Sequence, residues 1–387
     1  MKQPEGFEDS INRVCKLKKS LYGLKQAPRC WNRHFGKFLS NQGFQASKED
    51  PCLYVKKEKK GKMILVLYVD DGLVTATNEE ELKNFLQALR KEFSITVSVA
   101  HHYLGLEINT QTSGQVKISQ EAYARKVLKL FNFENCAPVS TPMEKGSSLR
   151  KVHQIQNSEE QEMSVNFPYR QAVGALMYLM IGSRPDLAYS VGVLSRCLEN
   201  PSNEDVIKLK RVLRYIKGTL SYGIVYNSNV NSNSLECYSD ADLGGCEKTA
   251  RSTSGAVVLF AGGTISWKSR RQCSVAISST EAELVAASEA TREVLWLSRL
   301  FKEITNVNEV PILQVDNDAA IRLAQDPILH GRTKHIERRH FFIHEKVEER
   351  KINVKYVPTQ HQVADVMTKP LSKEQLKLFC ERMGLMC

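Results

Sequence analysis

Residues 62–77, KMILVLYVDDGLVTAT, set two apolar runs on either side of two adjacent carboxylates. Apolar runs of this length around a turn signal read as paired strands, with the Asp71-Gly72 step supplying the turn chemistry. Residues 79–92 then repeat apolar positions at helical spacing, so an amphipathic helix should follow the hairpin. A second strand pair is expected at 103–109 and 115–118, and a helix from Ser119 to about Leu130.

Two polar stretches divide the rest. Residues 140–166 read as a linker or exposed loop, and NSNVNSNS at 227–234 reads as a domain boundary. Between them, 167–222 is helical with a break near Arg184-Pro185. After the second boundary, strands are expected at 235–241, 255–261, 263–268 and 273–278, then a long helix over 280–304. A strand at 311–316, a helix at 318–325, a basic helix at about 335–350, a strand at 352–357 and terminal helices complete the chain. Strands followed by helix–strand alternation imply a mixed α/β (α+β) fold.

The 387 residues have room for two or three domains. An apolar fraction of 42% and a charged fraction of 25% argue against wholesale disorder. The net charge of +11 suits a polyanionic partner. Ten cysteines without a CxxC pair argue against a zinc ribbon or a disulfide framework, leaving buried free thiols in a reducing compartment. Lys2, Glu5, Glu8 and Asp9 interrupt any apolar leader, and the most apolar window, Ala172 to Gly182, is too short to span a bilayer. No membrane partner is expected, and the chain reads as soluble.

Asp70 and Asp71 offer hard oxygens at the hairpin tip, the ligand type suited to Mg2+; the alternative is that Asp-Asp-Gly is only good turn chemistry. A second acidic set is spread over four expected elements. Asp240 ends a strand, Glu283 lies in the first turn of the long helix, Asp316 ends a later strand, and Asp365 sits in QVADVMTKP. Carboxylates without cysteine favour Mg2+ over zinc. Each has a structural alternative. Asp242 competes with Asp240, and Asp318 fits a helix N-cap better than Asp316 does. Glu283 completes a Thr280-x-x-Glu283 capping box, but Ser278-x-x-Glu281 also fits one and would leave Glu283 free to face the sheet beside Ala287 and Ala290. Asp365 also suits an early helical turn as a dipole partner.

Residues 330–351 combine seven Lys/Arg with four Glu and four His. They read as a phosphate-contacting surface, with Arg338 and Arg339 as candidates, or as a solvated ion-paired helix face. His340 and His344 share a helix face without an apparent third metal ligand. His361 is a candidate helper histidine or a surface one. Trp31 and Trp267 offer base-stacking faces, with core burial as the alternative.

Several of these segments resemble one family. Ser20-Leu21-Tyr22-Gly23-Leu24-Lys25-Gln26-Ala27-Pro28-Arg29 with Trp31, the Tyr68-Val69-Asp70-Asp71 hairpin, and Tyr103-Leu104-Gly105-Leu106-Glu107-Ile108 are similar to copia-type LTR retrotransposon Pol polyproteins. Tyr169-Arg170, Gly174–Leu179 and Ser183-Arg184-Pro185-Asp186-Leu187-Ala188 extend the likeness over essentially the whole chain. The resemblance implies an RNA-directed DNA polymerase palm and thumb over 1–139, a linker and helical connection over 140–226, and an RNase H-like domain over 227–387. It implies nucleotide and template handling by Gly23, Lys25, Gln26 and Arg29, and palm catalysis by Asp70 and Asp71.

The carboxylate order resembles the RNase H fold, which implies that Asp240, Glu283, Asp316 and Asp365 hold two Mg2+ ions and cleave the RNA strand of RNA–DNA hybrids. The family's third palm aspartate lies upstream of the segment reading Met1-Lys2-Gln3-Pro4-Glu5-Gly6-Phe7 here, so polymerase activity is expected to be lost by truncation. Implied partners are RNA–DNA hybrid, RNA template with DNA primer, and the rest of the polyprotein or a full-length homologue. The implied location is the cytoplasm, in virus-like particles, or the nucleus. The alternative function is a non-catalytic nucleic-acid-binding remnant or co-opted retroelement protein.

Overall fold

A computed structural model describes residues 1–9, 13–58, 61–111, 114–146, 167–228, 230, 234–305, 308–325 and 337–387, with the side chains of 58 and 337–341 outside the description. The chain divides into two compact units, Met1–Val99 and Ala100–Cys387.

In the first unit, helix α1 (Ala27–Asn41) precedes strands β1 (Gln45–Ala46), β2 (Leu53–Glu58), β3 (Gly61–Tyr68) and β4 (Asp71–Ala76), and helix α2 (Glu79–Glu92) closes it. The strands form one antiparallel sheet in the order β1-β2-β3-β4. Alternation in β3 buries Met63, Leu65 and Leu67. Phe35 and Leu39 of α1 and Phe85 and Leu89 of α2, each pair one helical turn apart, meet them in the core. Asn78 caps α2 by accepting from the Glu80 N–H at 2.9 Å.

The second unit opens with β5 (His102–Tyr103), β6 (Leu106–Thr110), β7 (Gln115–Ser119) and α3 (Glu121–Leu130). Helices α4 (Tyr169–Gly182), α5 (Ala188–Leu194) and α6 (Asn203–Gly218) lead into β8 (Gly223–Asn227). Strands β9 (Glu236–Ala241), β10 (Thr253–Phe260) and β11 (Gly263–Arg271) come next. Helix α7 (Ser279–Ile304), β12 (Ile312–Val315), α8 (Asp318–Gln325), α9 (Glu337–Glu348), β13 (Asn353–Tyr356), α10 (Lys373–Arg382) and β14 (Leu385–Met386) complete it. One five-stranded sheet runs β11-β10-β9-β12-β13, antiparallel from β11 to β9 and parallel from β9 to β13. Helix α7 packs over β9 and β10. A second, antiparallel sheet runs β14-β8-β7-β6-β5.

That second sheet joins strands from both sides of the helical segment within the second unit. β7 pairs with β8 across the whole helical segment, and Val127 and Leu128 of α3 share one core with Leu176 of α4 and Leu213 of α6. Residues 147–166, and 229 and 231–233 of the second polar stretch, lie outside the described residues.

Other expectations need correction. The first hairpin turns at Val69-Asp70 rather than at Asp71-Gly72, with Val69 at φ 52° and Tyr68 paired with Asp71. Residues 273–278 form no strand. β11 uses its pairing with β10 through Arg271↔Thr253, and the segment beyond it has no sheet partner. β8 was not anticipated. Of the cysteines, Cys197, Cys237, Cys246 and Cys380 are buried, but Cys30, Cys52, Cys273 and Cys387 are exposed. Among the described residues no helix is long and apolar enough to cross a membrane.

Candidate active site

Strands β9 and β12 run parallel with Gln314 in register with Tyr238. Asp240 and Asp316 each follow that pair by two residues, so alternation sends both side chains to the same face at the same sheet end. Helix α7 lies on this face, and its capping decides where Glu283 goes. Ser278 Oγ accepts from the Glu281 N–H at 3.1 Å, and Glu281 Oε2 accepts from the Ile277 N–H at 2.8 Å. The cap therefore uses Ser278 and Glu281, not Thr280 and Glu283. Glu283 is free to turn inward, where its Oε1 accepts from the Ala241 N–H at 3.2 Å.

Asp365 arrives on a short 3-10 turn, Val363–Met367. Gln362 fixes that turn to β9: its Nε2 donates to the Ser239 carbonyl at 2.9 Å, and its Oε1 accepts from the Ala364 N–H at 3.3 Å. Gly255, in register with Asp240 on β10, makes room. A Cβ there would lie 2.7 Å from Met367 Cβ and 2.7 Å from Thr368 Cγ2. Thr368 Oγ1 donates to Asp240 Oδ2, and Thr359 Oγ1 donates to Asp316 Oδ2 at 2.9 Å. Lys369 Nζ stands 2.9 Å from Asp365 Oδ1 and 4.0 Å from Asp240 Oδ2.

Asp240, Glu283 and Asp316 each place a carboxylate oxygen within 4.8 Å of the others. Asp240, Glu283 and Asp365 are buried, and Asp316 is half-buried. Burial first, then the charges of Asp240 and Asp316, push the Glu283 carboxyl well above the usual carboxylate range. Burial and Asp240 raise Asp316 in the same way, with the Thr359 hydroxyl opposing. Burial and Asp240 also raise Asp365, against the pull of Lys369. Burial works against the Lys369 charge, but Asp240 and Asp365 outweigh it and hold the ammonium above its ordinary pKa. Clustered anions at this burial are a strained arrangement that a cation relieves. The donor set fits a hard divalent ion: every ligand is a carboxylate oxygen, and Glu283 Oε2 is buried with no hydrogen-bond donor among the described residues.

The structure thus brings Asp240, Glu283 and Asp316 together, with Asp365 beside Asp240 through Lys369. Asp242 is occupied elsewhere, accepting from the Thr253 N–H at 2.6 Å. Asn317, not Asp318, caps α8, through the Ala320 N–H at 2.9 Å. His361 Nδ1 lies 2.9 Å from Arg382 Nη2. Sequence reasoning gave no role to Lys369, Thr368, Thr359, Gln362 or Gly255. Only Lys369 carried a usable signal, standing four residues after Asp365 at an ion-pairing spacing.

Asp70 and Asp71 are both exposed at the first unit's hairpin. The turn is anchored by Trp31, whose Nε1 donates to the Val69 carbonyl at 2.8 Å. Trp31 also packs on Phe35 and Phe93, and Trp267 donates to the Met180 carbonyl at 2.9 Å, so both indoles serve packing. Gly23 sits in an exposed turn at φ 91°, and Lys25, Gln26 and Arg29 are exposed around the start of α1. Arg338, Arg339 and His340 lie on α9, but their side chains, like all of 330–336, are outside the described residues. His344 is buried, with Nε2 3.6 Å from Glu348.

A model of the reverse transcriptase (RNA-dependent DNA polymerase) family matches residues 1–145. The retrovirus-related Pol polyprotein from transposon TNT 1-94 of Nicotiana tabacum is 38% identical over 390 residues, covering 100% of this chain and 29% of that protein. The transposon Ty5-1 protein of Saccharomyces cerevisiae is 31% identical over 298 residues, covering 76% of this chain and 94% of the relative. The chain belongs to the copia-type retrotransposon Pol family. As a Pol-family chain it belongs with the RNA-directed DNA polymerase family. It spans 29% of the tobacco polyprotein's length. A solved foamy viral protease-reverse transcriptase in complex with RNA/DNA hybrid aligns with 88% of this chain and 39% of its own at 13% identity and a TM-score of 0.48.

Proposed function

We propose that the second unit cleaves the RNA strand of RNA–DNA hybrids at the Asp240, Glu283 and Asp316 cluster. The observation that carries this reading is the convergence of three carboxylates within 4.8 Å, one with a buried oxygen that has no hydrogen-bond donor among the described residues. Asp240, Glu283 and Asp316 would hold Mg2+, with Asp365 contributing from the adjacent turn. Bound there, Mg2+ supplies charge neutralisation at the scissile phosphate and lowers the pKa of an attacking water. The chain's own part is placement. Thr368 and Thr359 orient Asp240 and Asp316, the Ala241 N–H orients Glu283, and Gln362 pins the Asp365 turn to the sheet. The net charge of +11 supplies long-range attraction for a polyanion.

A labelled hybrid incubated with the purified chain and Mg2+ tests this. Cleavage of the RNA strand is expected, with Asp240→Asn and Glu283→Gln abolishing it while salt-sensitive binding persists. Intact RNA with the unmutated chain refutes catalysis and leaves the non-catalytic binding reading. For the first unit, we infer that Asp70 and Asp71 serve polymerisation. The support is the match of residues 1–145 to the reverse transcriptase family and the exposure of both carboxylates at the hairpin. Primer extension on an RNA template by a full-length polyprotein tests this, and extension unchanged by Asp70→Asn with Asp71→Asn would overturn it.

A further inference from the structure

Residues 137–144 are tied down, although the polar composition from 140 onward suggests a linker. Arg211 of α6 grips them twice: Nη1 donates to Glu144 Oε1 at 2.6 Å, and Nη2 to Thr141 Oγ1 at 3.0 Å. About one helical turn on, Arg214 Nε donates to the Ala137 carbonyl at 2.8 Å. Met143 is buried in a cluster with Val193 of α5 and Cys197. The same residues reach the candidate active site. Pro142 and Met143 share the walls of a cavity of about 20 Å³ with Val366, Lys369, Pro370 and Leu371. Such a space holds about one water, so the two segments face each other at close range. Helix α5, against which Met143 lies, also packs on the Val363–Met367 turn that carries Asp365.

That turn is held unevenly. Gln362 fixes its start, and Ser269 Oγ donates to the Met367 carbonyl at 2.6 Å. The Thr368 and Lys369 N–H groups both fold back on the Asp365 carbonyl, each at 3.1 Å. Pro370 has no N–H to give, so this end of the turn relies on packing. We propose that residues 137–144 are a strap that braces this end and keeps Asp365 in place beside Asp240. The inference rests on the cleavage reading above. Arg211 and Arg214 act through the strap, as positioning residues. The strap belongs to the part of the chain that matches the reverse transcriptase family, residues 1–145, so that part supplies a requirement of the carboxylate site. The leverage is large, because misplacing a positioned group by about 1 Å can cost about 10²-fold in rate.

Hydrogen–deuterium exchange and RNA cleavage by the full 387-residue chain test this. Arg211→Met with Arg214→Met removes the ties and keeps apolar stems. In that variant the Thr368 and Lys369 amides should exchange about tenfold faster than in the parent, while β9 amides keep parental rates. The kcat for the RNA strand of a hybrid should fall about tenfold with KM unchanged. Arg211→Lys with Arg214→Lys keeps both cations and should recover most of both. Unchanged exchange at Thr368 and Lys369 in the methionine variant overturns the inference, whether or not the parent cleaves. Faster exchange with an unchanged kcat in an active parent overturns it too. A parent that leaves the RNA intact overturns the cleavage reading alone, and the exchange rates then decide the strap.

Discussion

Arg184 and Asp186 form an ion pair, Nη2 to Oδ2 at 2.7 Å, with side chains only 2% and 0% exposed. Arg184 also donates to the Thr219 carbonyl at 3.0 Å and hydroxyl at 2.7 Å, and the Tyr215 hydroxyl donates to Asp186 Oδ2 at 2.8 Å. The break between α4 and α5 is thereby tied to the far end of α6. Asp186→Ala strands a buried guanidinium and is expected to cost about 3–5 kcal/mol in urea unfolding. Replacing both residues with apolar ones of similar volume should cost much less. Equal losses from both variants would show that packing, not charge, dominates here.

Glu283 should make the metal-free fold pH-sensitive. Its folded-state pKa is raised by burial, Asp240 and Asp316. Between the unfolded value near about 4.3 and the raised folded value, the folded state binds the extra proton, so stability falls as pH rises through that window. Glu283→Gln removes the effect. Without divalent ions it should melt above the parent at pH 8, and the difference should close toward about pH 4. Thermal melts across this range check it; a variant melting lower than the parent at pH 8 contradicts the sign.

The two candidate caps of α7 can be separated directly. Ser278→Ala should cost about 1 kcal/mol, because Ser278 holds the Glu281 N–H. Thr280→Ala should stay within about 0.5 kcal/mol. Denaturant midpoints for the two variants give the answer, and a reversed order would reassign the cap.

Gly255→Ala inserts a Cβ 2.7 Å from Met367 Cβ and 2.9 Å from the Ala364 carbonyl oxygen. Overpacking of this kind costs about 1–3 kcal/mol. The displaced element is the turn carrying Asp365, so cleavage at a temperature where the variant is still folded should fall further than stability does. A variant with full cleavage and parental stability would mean that the turn yields freely.

Local chemistry explains what the sequence made legible. The α2 limits, the β3–β4 pair and the long α7 follow from strong periodicity and capping, and the carboxylates stood out because Asp240 and Asp316 lie at strand ends and Glu283 in the first turn of a helix. The missed parts depend on distant partners. β8 exists because β7, more than a hundred residues earlier, offers it a register. The segment 273–278 alternates convincingly, but no strand is available to receive it. Thr359 and Gln362 look like ordinary loop residues until folding places them against Asp316 and Ser239. Val69 adopts a positive φ because its turn must be two residues long between Tyr68 and Asp71, and no glycine marked the spot.

The pairing of β14 with β8 sets where this molecule can be divided for expression. Leu385 faces Ile224, the Val225 N–H donates to the Gly384 carbonyl at 2.8 Å, and β8's other edge is taken by β7. A fragment beginning at residue 227 would discard β8 and leave β14 without its neighbour, with a sticky edge in its place. A fragment beginning at Ala100 retains the whole stitch, and is the smaller piece to carry into crystallisation with a hybrid.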